Sequence, residues 1–320
     1  MKTITLTQLA YIAAVAQTRN FSSAAKACFV SQPTLSMQVQ KLEEELGAIL
    51  FDRSKRPVEP TAIGRGVVRQ AQVVLQEVRR IEEMIKEEKG EVSGEFRLGI
   101  IPTLAPYLLP LFLQNFTQTY PRVNLIIEEL QTRQIIARLA DDSIDAGILV
   151  TPLNSRGIIE RPLFYEPFVV YLAPGHAYRS LTKVSENDLS LNDIWLLNEG
   201  HCFRDQAIEL CKKVRDTRFA NKNPIFESGN LETLKRLVDK KFGYTLLPYL
   251  AIAEMPEGQR KKRIRLFKAP VPTREVSVVY SRSFLKKCTI EALANAIESS
   301  VPAALRHRPG KSRVVELPPF

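Results

Sequence analysis

Two predicted helices near the N-terminus lie so close together in the chain that they must turn sharply against each other. The spacing of apolar residues predicts three short amphipathic helices, over Leu6–Thr18, Phe21–Cys28 and Gln32–Leu46. Only a tight turn around Phe29 and Val30 fits between the second and the third. Ser31 is a favourable N-cap, Pro33 suits the first helical turn, and Gly47 ends the third helix. These residues predict a helix-turn-helix unit.

The third predicted helix carries polar side chains of the kind that read the edges of base pairs. The candidates for DNA contact are Gln32, Pro33, Thr34, Ser36 and Gln38. In a helix-turn-helix protein the second helix enters the major groove of double-stranded DNA, where such side chains meet base edges. A plain helical hairpin within a bundle gives the same spacing, so the pattern by itself leaves both interpretations open.

Residues 50–64 predict a small β-wing. Two short extended pieces around Phe51 and Val58 flank a basic turn that contains Arg53, Lys55 and Arg56. Cations at the tip of a wing attract the phosphate backbone of any sequence. We therefore expect these three side chains to hold the DNA backbone.

A long helix is predicted from Ile63 to Lys89. Its apolar residues recur at intervals of three and four, and they are Val67, Ala71, Val74, Leu75, Val78, Ile81 and Ile85. Such a stripe, on a helix with no neighbouring partner in its own chain, favours pairing with a second copy of the chain. The sequence thus predicts a homo-oligomer.

Beyond Gly94, short apolar runs alternate with helical stretches, which is the pattern of repeated β-α-β units. Strands are predicted at 96–101, 123–130, 145–150, 168–174, 194–198, 224–228, 243–248 and 276–282. Helices are predicted from about residue 104 and over 134–141, 231–241 and 290–299. Polar segments at 163–167 and 267–272 are predicted crossings between two α/β lobes that enclose a cleft.

These patterns divide the chain into four predicted parts. Residues 1–61 form an α-rich winged helix-turn-helix domain, residues 62–90 a linker and dimerisation helix, and residues 94–300 an α/β regulatory domain. The regulatory domain has one lobe from 94–165 with 270–300, and a second lobe from 166–269. Residues 301–320 remain as a basic tail.

The net charge of +10 and the isoelectric point of about 9.4 indicate an acidic partner. Residues 256–320 hold 14 Lys and Arg against five Asp and Glu, so much of the excess lies near the C-terminus. Those runs fit a solvated surface and a loose tail better than a second nucleic-acid site. No run of about 18 apolar residues occurs, and four cysteines are too few for a disulfide scaffold. We therefore expect a cytoplasmic protein that does not enter a membrane.

A helix is predicted over Phe203–Val214. Cys202 stands at its start, and Cys211 lies within it. Nine positions at about 1.5 Å each separate them by roughly 13 Å along a helix and put them on opposite faces. A disulfide needs Cα atoms within about 7 Å. A bond between them and an intact helix are therefore alternative states of this segment.

The surroundings of Cys202 predict a reactive thiol. It stands at a helix start, where the helix dipole stabilises an anion, and His201 and Arg204 flank it. Two other interpretations stay open: both cysteines are ordinary buried residues, or His201, Cys202 and Cys211 bind zinc. The zinc site is the weaker pattern because the sequence contains no CxxC motif.

The motif string of residues 21–64, FSSAAKACFVSQPTLSMQVQKLEEELGAILFDRSKRPVEPTAIG, resembles the N-terminal domain of LysR-type transcriptional regulators. Its features are the paired alanines, the SQPTLS entry to the recognition helix, the LExxLG ending and the LFxR wing. Four further segments are similar to the hydrogen-peroxide sensors of that family: IPTLAPYLLP at 101–110, the QT pair Gln131 and Thr132, GHCFRDQA at 200–207 followed by Cys211, and NLETL at 230–234. The resemblance covers about residues 1 to 300.

The resemblance implies a periplasmic-binding-protein-like, two-lobed effector domain and a role for each matching residue. Cys202 matches the peroxide-reactive cysteine and Cys211 the resolving cysteine. The residues that match the peroxide pocket are Thr103, Thr132, His201, Arg204 and Asp205. The implied protein activates oxidative-stress genes when peroxide drives Cys202, through a sulfenic acid, into a disulfide with Cys211.

The implied partners are promoter DNA, hydrogen peroxide as the signal, RNA polymerase and further copies of the chain in a tetramer, a dimer of dimers. No cofactor and no metal ion is expected. One alternative is a LysR-type regulator that binds a metabolite in the cleft, with incidental cysteines. A thiol peroxidase is another, but the DNA-binding half argues against an enzyme.

Overall fold

The computed structural model describes residues 4–153, 155–191, 193–211, 229–240, 243–281 and 286–317. It divides into two compact units, Met1–Lys89 and Gly90–Phe320, each of which buries its own apolar residues. Within the described ranges, no helix is both long and apolar enough to cross a membrane.

The N-terminal unit begins with the helices α1 (Leu6–Thr18), α2 (Phe21–Ala27) and α3 (Gln32–Leu46). The helix-turn-helix is confirmed, and only the end of α2 differs, by one residue. Helix α3 begins where the Ser31 hydroxyl accepts a hydrogen bond from the Thr34 N–H, and it ends at Gly47, whose φ of +67° is left-handed. The core between the helices includes Ile12, Val15, Leu35, Val39 and Leu42.

The wing is a two-stranded antiparallel ribbon of β1 (Phe51–Asp52) and β2 (Glu59–Pro60). Its second strand begins one residue after the predicted position. The long helix α4 (Ala62–Glu88) follows at once. A Cβ on Gly64 would lie 1.9 Å from the Leu50 carbonyl oxygen, so only glycine lets the first turn of α4 pack against the chain that enters the wing.

The C-terminal unit is a mixed α/β structure. Its strands are β3 (Gly94–Ile100), β4 (Val123–Glu129), β5 (Ala146–Thr151), β6 (Ile158–Leu172), β7 (Lys183–Val184), β8 (Tyr244–Pro248), β9 (Ile264–Phe267), β10 (Val271–Ser281) and β11 (Ser312–Val314). Its helices are α5 (Ala105–Thr119), α6 (Thr132–Ala140), α7 (Cys202–Cys211), α8 (Leu231–Asp239), α9 (Glu257–Arg263) and α10 (Lys287–Ser300). The strand order is β4-β3-β5-β10-β6-β9-β7, with β8 beside β6 and β11 beside β10.

Two hydrophobic cores lie in this unit, and the strand β6 connects them. From Ile158 to Pro167 this strand pairs with β10, and from Phe168 onward it pairs with β8 and β9. The predicted crossing at 163–167 is where β6 passes from one core to the other, but this stretch is the middle of a continuous strand and not a polar segment. The reason is that the one charged residue in it, Glu166, is fully buried and its charge is paired inside the protein.

Other boundaries also depart from the sequence pattern. The predicted strand at 194–198 is irregular apart from an isolated bridge between Ile194 and Tyr244. Helix α6 begins two residues before the predicted start. The predicted strand at 224–228 and the predicted helical residues 212–214 lie outside the described residues, as does the end of the predicted helix at 241.

The C-terminal tail is docked, which corrects the expectation of a loose tail. Val301 and Leu305 are buried in the core formed with α5 and α10, and Val315 is completely buried in the other core. Strand β11 pairs in parallel with the first residues of β10. The basic residues that made the tail look solvated include Arg306, whose guanidinium donates to the carbonyls of Ser299 and Val301.

The basic run at 260–265 is likewise partly structural. Arg260 donates to three backbone carbonyls of residues 252–255, and Arg263 donates to the carbonyl of Leu172. Arg265 donates to the carbonyl of Arg179. These guanidiniums satisfy helix ends and strand edges, which a count of charges cannot reveal.

Candidate functional site

Helix α7 carries one cysteine at each end, and each belongs to a different core. Cys202 is 6% exposed and packs in the core formed with α5 and α10, whereas Cys211 is fully buried in the core formed with α8 and β8. Both are free thiols. The helix is intact between them, so their separation is about 13 Å along its axis. The structure is therefore that of a reduced state in which no direct bond can form.

The turn before α7 needs glycine. Gly200 has a φ of +90°, and a Cβ there would lie 2.6 Å from the side-chain oxygen of Gln131. Gln131 immediately precedes α6, whose first residue is Thr132. The close approach at Gly200 thus brings the start of α6 next to the start of α7. The N-terminal ends of these two helices both contribute to the surroundings of Cys202.

Burial raises the pKa of the Cys202 thiol. The Arg274 guanidinium, the Thr132 side chain and the backbone N–H of Phe203 act in the opposite direction, and Asp205 adds to the rise. Burial thus opposes the stabilisation of an anion that is expected at a helix start, because an almost fully buried thiolate loses its hydration.

His201 is not a cationic neighbour of Cys202. It is 6% exposed, and its burial lowers its pKa, so the imidazole is mainly neutral at pH 7. Arg204 lies 3.9 Å from Asp205, and both side chains are partly exposed. Of the two flanking residues expected to be cationic, His201 is therefore buried and neutral, and Arg204 faces Asp205 and the solvent.

The positive charge near Cys202 comes instead from Arg274, which the sequence argument missed. Arg274 donates through Nε to Glu166 Oε2 at 2.9 Å and through Nη1 to Thr103 Oγ1 at 3.1 Å. Its guanidinium also lies 5.4 Å from the centre of the Phe203 ring. Glu166 Oε1 accepts the N–H of Leu250 at 2.6 Å, so the carboxylate is satisfied on both oxygens. Arg274 lies between the predicted crossing at 267–272 and the predicted strand at 276–282, so the sequence pattern gave no signal for it.

Three buried polar atoms in or beside α7 have no hydrogen-bond partner among the described residues. They are Thr132 Oγ1, Asn198 Oδ1 and Gln206 Oε1. Thr132 is nonetheless close enough to lower the pKa of Cys202. Asn198 Oδ1 and His201 Nε2 both lie within 4 Å of the Cβ position of Gly229. Unpaired buried polar atoms are costly, and they commonly mark a place that a small polar molecule occupies.

Cys211 lies in a cluster of aromatic residues. Its Sγ is 3.9 Å from the hydroxyl oxygen of Tyr244, which in turn donates to the carbonyl of Ser190 at 2.7 Å. The rings of His176 and Tyr178 pack edge-on against Tyr244. Burial raises the pKa of Cys211 to about 11, so this thiol is protonated at neutral pH.

No group of three or more His, Cys, Asp or Glu side chains in the described ranges is placed to hold a metal ion. A cavity of about 610 Å³ lies between α5 and α8. Its polar lining includes Tyr107, Glu232, Lys235 and Arg236, and none of the predicted peroxide-pocket residues lines it.

The exposed face of α3 is centred on a residue that the sequence argument left out. At about 100° per residue, Met37 lies roughly 170° from the mean direction of the buried Leu35, Val39 and Leu42, and it is 61% exposed. Gln32, Pro33 and Thr34 are exposed at the start of this helix. Ser36 and Gln38 are only partly exposed and border the face.

The three wing cations differ in their surroundings. Arg53 pairs with Glu43 at 2.9 Å, donates to Ser36 Oγ at 3.2 Å and lies over the Phe21 ring. Lys55 pairs with Glu59 at 2.9 Å on the surface. Arg56 is exposed at the tip. Arg53 thus fastens α3 to the wing, while Arg56 is the cation that the wing presents outward.

Comparisons with known proteins match both units. The model of the bacterial regulatory helix-turn-helix protein, lysR family, matches residues 6–65, and that of the LysR substrate binding domain matches residues 89–301. The DNA-binding transcriptional dual regulator OxyR of Escherichia coli K12 is 38% identical over 292 residues, which cover 91% of this chain and 94% of that protein. A hydrogen peroxide-inducible genes activator of Haemophilus influenzae is 35% identical, covering 93% and 97%.

Solved structures are similar over the same range. A full-length OxyR variant from Pseudomonas aeruginosa has a TM-score of 0.73 at 35% identity and covers 93% of this chain and 99% of its own. A Corynebacterium glutamicum OxyR mutant with bound H2O2 has a TM-score of 0.61 at 30% identity and covers 92% of both chains.

Proposed function

The chain belongs to the LysR family of bacterial regulators, and from that premise we propose that it is a hydrogen-peroxide-responsive transcriptional activator whose switch is the α7 segment. One observation carries the proposal: Cys202 and Cys211 lie at opposite ends of one helix and in two different hydrophobic cores. A bond between them requires the helix to unwind, so a covalent change at α7 must become a change of shape.

The first step is the attack of the Cys202 thiolate on a peroxide oxygen. An S–O bond forms while the O–O bond breaks, and the departing hydroxide takes up a proton to become water. Negative charge builds up on the leaving oxygen. We assign the stabilisation of that charge to the Arg274 guanidinium and the Thr132 hydroxyl, because both influence Cys202 and Thr132 Oγ1 is otherwise unpaired. Because Thr103 is held by Arg274, we assign it the role of orienting that guanidinium.

The remaining pocket residues have smaller proposed roles. The neutral His201 is a hydrogen-bond donor or acceptor for peroxide rather than a cation. Arg204 and Asp205, which are partly exposed, hold the reduced conformation of the first turn through their mutual contact.

The second step joins the two sulfurs. The Cys211 thiol attacks the sulfenic sulfur of Cys202, the S–S bond forms, and the hydroxyl leaves with the thiol proton as water. In sum, two thiols and one hydrogen peroxide give one disulfide and two waters. Because Cys211 is fully buried at the other end of α7, it reaches Cys202 only after local unwinding. It arrives as a thiol, since it stays protonated at neutral pH.

The DNA-binding part of the proposal rests on α3 and the wing. The first turn of α3 and the centre of its exposed face are proposed to enter the major groove. Arg56, and Lys55 when it leaves Glu59, contact the phosphate backbone, and Arg53 positions the wing. RNA polymerase is the proposed partner of the activator.

Helix α4 supports assembly from several copies. Ile63, Val73, Ile81, Met84 and Ile85 are each about half exposed or more, which is a large apolar surface for one helix to leave in water. We propose that α4 pairs two chains and that the protein is a tetramer, a dimer of dimers. A stable monomer at micromolar concentration in analytical ultracentrifugation would contradict this assembly.

A second candidate function is a response to a metabolite, with incidental cysteines. The cavity between α5 and α8, with its charged lining, favours this reading. It predicts that a variant without Cys202 keeps its full response to the inducer, whereas the peroxide switch predicts that the response is lost.

Peptide mass mapping of the full-length protein after peroxide treatment tests the main proposal. We expect a bond between Cys202 and Cys211, together with different protection footprints of the reduced and oxidised proteins on the DNA upstream of their own gene. Absence of that bond, or a bond from Cys202 to Cys28 or Cys288, would refute the mechanism.

A further inference from the structure

The C-terminal tail makes a buried contact with the helix that carries Cys202. Gln206 follows Cys202 by one helical turn, on nearly the same face, and is 0% exposed. Its Nε2 donates to the carbonyl oxygen of Val315 at 2.8 Å. Its Oε1 has no hydrogen-bond partner among the residues that the structure describes. The tail therefore supplies the hydrogen bond that offsets the burial of this amide.

Residues 301–317, here called the C-terminal strap, are anchored in both cores. Val301 and Leu305 are buried beside α5 and α10, and Val315 is 0% exposed in the core that holds Cys211. Between these anchors the strap runs parallel to the start of β10: Val271 N donates to Lys311 O at 2.9 Å, and Val315 N donates to Thr273 O at 2.9 Å. The strap thus links the two cores independently of β6.

A second contact joins the strap to the neighbourhood of α7. Arg313 pairs with Glu186 at 2.8 Å, and the turn Glu186–Asp188 packs against α7. Because Arg313 is 40% exposed, this pair adds little by itself. Like the Gln206 hydrogen bond, the ion pair between Arg313 and Glu186 favours the docked strap beside the helical form of α7.

We propose that the C-terminal strap is a positioning element of the redox segment, with Gln206 as the positioning residue. The strap holds α7 in its helical, reduced form and is released when the disulfide forms. This inference rests on the proposed disulfide between Cys202 and Cys211. The strap lies almost entirely beyond residue 301, where the match to the LysR substrate binding domain ends.

The physical reason is the incompatibility of the disulfide with the helix. Cα atoms within about 7 Å require the segment from Cys202 to Cys211 to leave its helical form. Gln206 lies inside that segment, so its side chain is withdrawn from Val315 when the helix unwinds. Docking of the strap and reduction of the cysteines are then coupled, and each favours the other by the same factor.

Hydrogen–deuterium exchange on the full-length protein tests the release directly. In the reduced protein we expect slow exchange of the strap peptide 311–317, since Val315 N–H is buried in a hydrogen bond. In the oxidised protein we expect that exchange to become at least tenfold faster. Unchanged exchange in a sample whose Cys202–Cys211 bond has been mapped would overturn this inference and leave the proposed function standing. If no such bond forms, the proposed function fails and the strap inference fails with it.

Redox titration of variants tests the coupling by a second route. Val315→Asp should weaken strap docking in the reduced protein but cost nothing once the strap is released. The midpoint potential should therefore become more negative, by about 30 mV for each tenfold loss of coupling. Gln206→Met should shift it in the same direction, whereas Glu316→Gln, at the neighbouring exposed position, should leave it unchanged.

One result of the titration would contradict the coupling between the strap and the cysteines. If Val315→Asp is folded by circular dichroism and has the wild-type potential, the strap is not coupled to the cysteines. If Val315→Asp does not fold, Gln206→Met and the exchange experiment on the unmodified chain still decide the matter.

Discussion

Arg274 and Glu166 form an ion pair from which water is almost wholly excluded. Arg274 Nη2 lies 2.7 Å from Glu166 Oε2, and the two side chains are 1% and 0% exposed. The pair lies where β6 and β10 run side by side, between the two cores. It holds a permanent positive charge near Cys202 without exposing it, and this arrangement has consequences for both stability and reactivity.

Arg274→Met should lower the free energy of unfolding by about 3–5 kcal/mol, because it leaves the Glu166 carboxylate buried without a counter-charge. Combining it with Glu166→Gln should restore most of that loss, since the amide is neutral and still accepts the Leu250 N–H. The reaction of Cys202 with peroxide should stay slow in both variants. Urea unfolding and stopped-flow peroxide kinetics measure the two effects. Recovery of the rate in the double variant would show that Arg274 acts only on stability.

The stability of the reduced protein should depend on Cys211 at alkaline pH. Its pKa is about 11 in the folded protein against an ordinary value of 9.0, so the unfolded chain releases this proton first. The stabilisation is fully present below pH 9 and is lost as the pH rises to about 11, by about 3 kcal/mol in total. Cys211→Ser should lack this component of the fall, whereas Cys288→Ser should retain it. If the free energy of unfolding of Cys211→Ser depends on pH in the same way as that of the wild type, the raised pKa of the buried Cys211 thiol is contradicted.

The two cysteines should fail in different ways. Cys202→Ser should abolish the change in DNA footprint after peroxide treatment, because no sulfenic acid can form. Cys211→Ser should still form the sulfenic acid, which a dimedone probe traps, but the altered footprint should be weak or transient. Cys28→Ser, in the N-terminal unit, is the matched control and should respond like the wild type. A lasting footprint change in Cys211→Ser would show that the disulfide is dispensable.

The wing predicts a separation between affinity and stability. Arg56→Ala should weaken binding to all DNA sequences about equally and reduce the slope of log affinity against log salt by about 1, since one phosphate contact is lost. Arg53→Ala should instead lower the melting temperature of the N-terminal unit, because it removes the link from α3 to the wing. Fluorescence anisotropy at several salt concentrations separates the two. A salt slope reduced by Arg53→Ala but not by Arg56→Ala would reverse these roles.

The local sequence pattern was sufficient to predict those helices whose ends are determined by their own residues. Caps and apolar spacing placed α1, α3 and α4 to within a residue, because Ser31 and Gly47 act on their own helix. The nine-residue spacing likewise gave the incompatibility of the cysteine helix with a disulfide. Both are properties of single segments.

The features that the sequence did not reveal depend on distant residues. Arg274 is 72 positions from Cys202, and its pairing with Glu166 can be recognised only when β10 is placed beside β6. Burial, which decides the direction of the Cys202 pKa, depends on packing from several elements. The strap looked like a solvated tail because its charged residues outnumber the three apolar side chains that anchor it.

Met37 supplies the last prediction, since an exposed thioether at the centre of the proposed DNA-reading face of α3 has one apolar partner in the major groove, the methyl group of thymine. A duplex selected by the full-length protein is used, and the thymines of its half-sites are replaced by uracil one position at a time. We expect that the replacement at one position lowers the affinity several-fold. Met37→Ala should lower affinity for the thymine duplex by a similar factor and should no longer distinguish thymine from uracil. Thr34→Ala, on the same face, should keep the distinction. Equal losses for uracil in the wild type and in Met37→Ala would place the methyl contact on another residue.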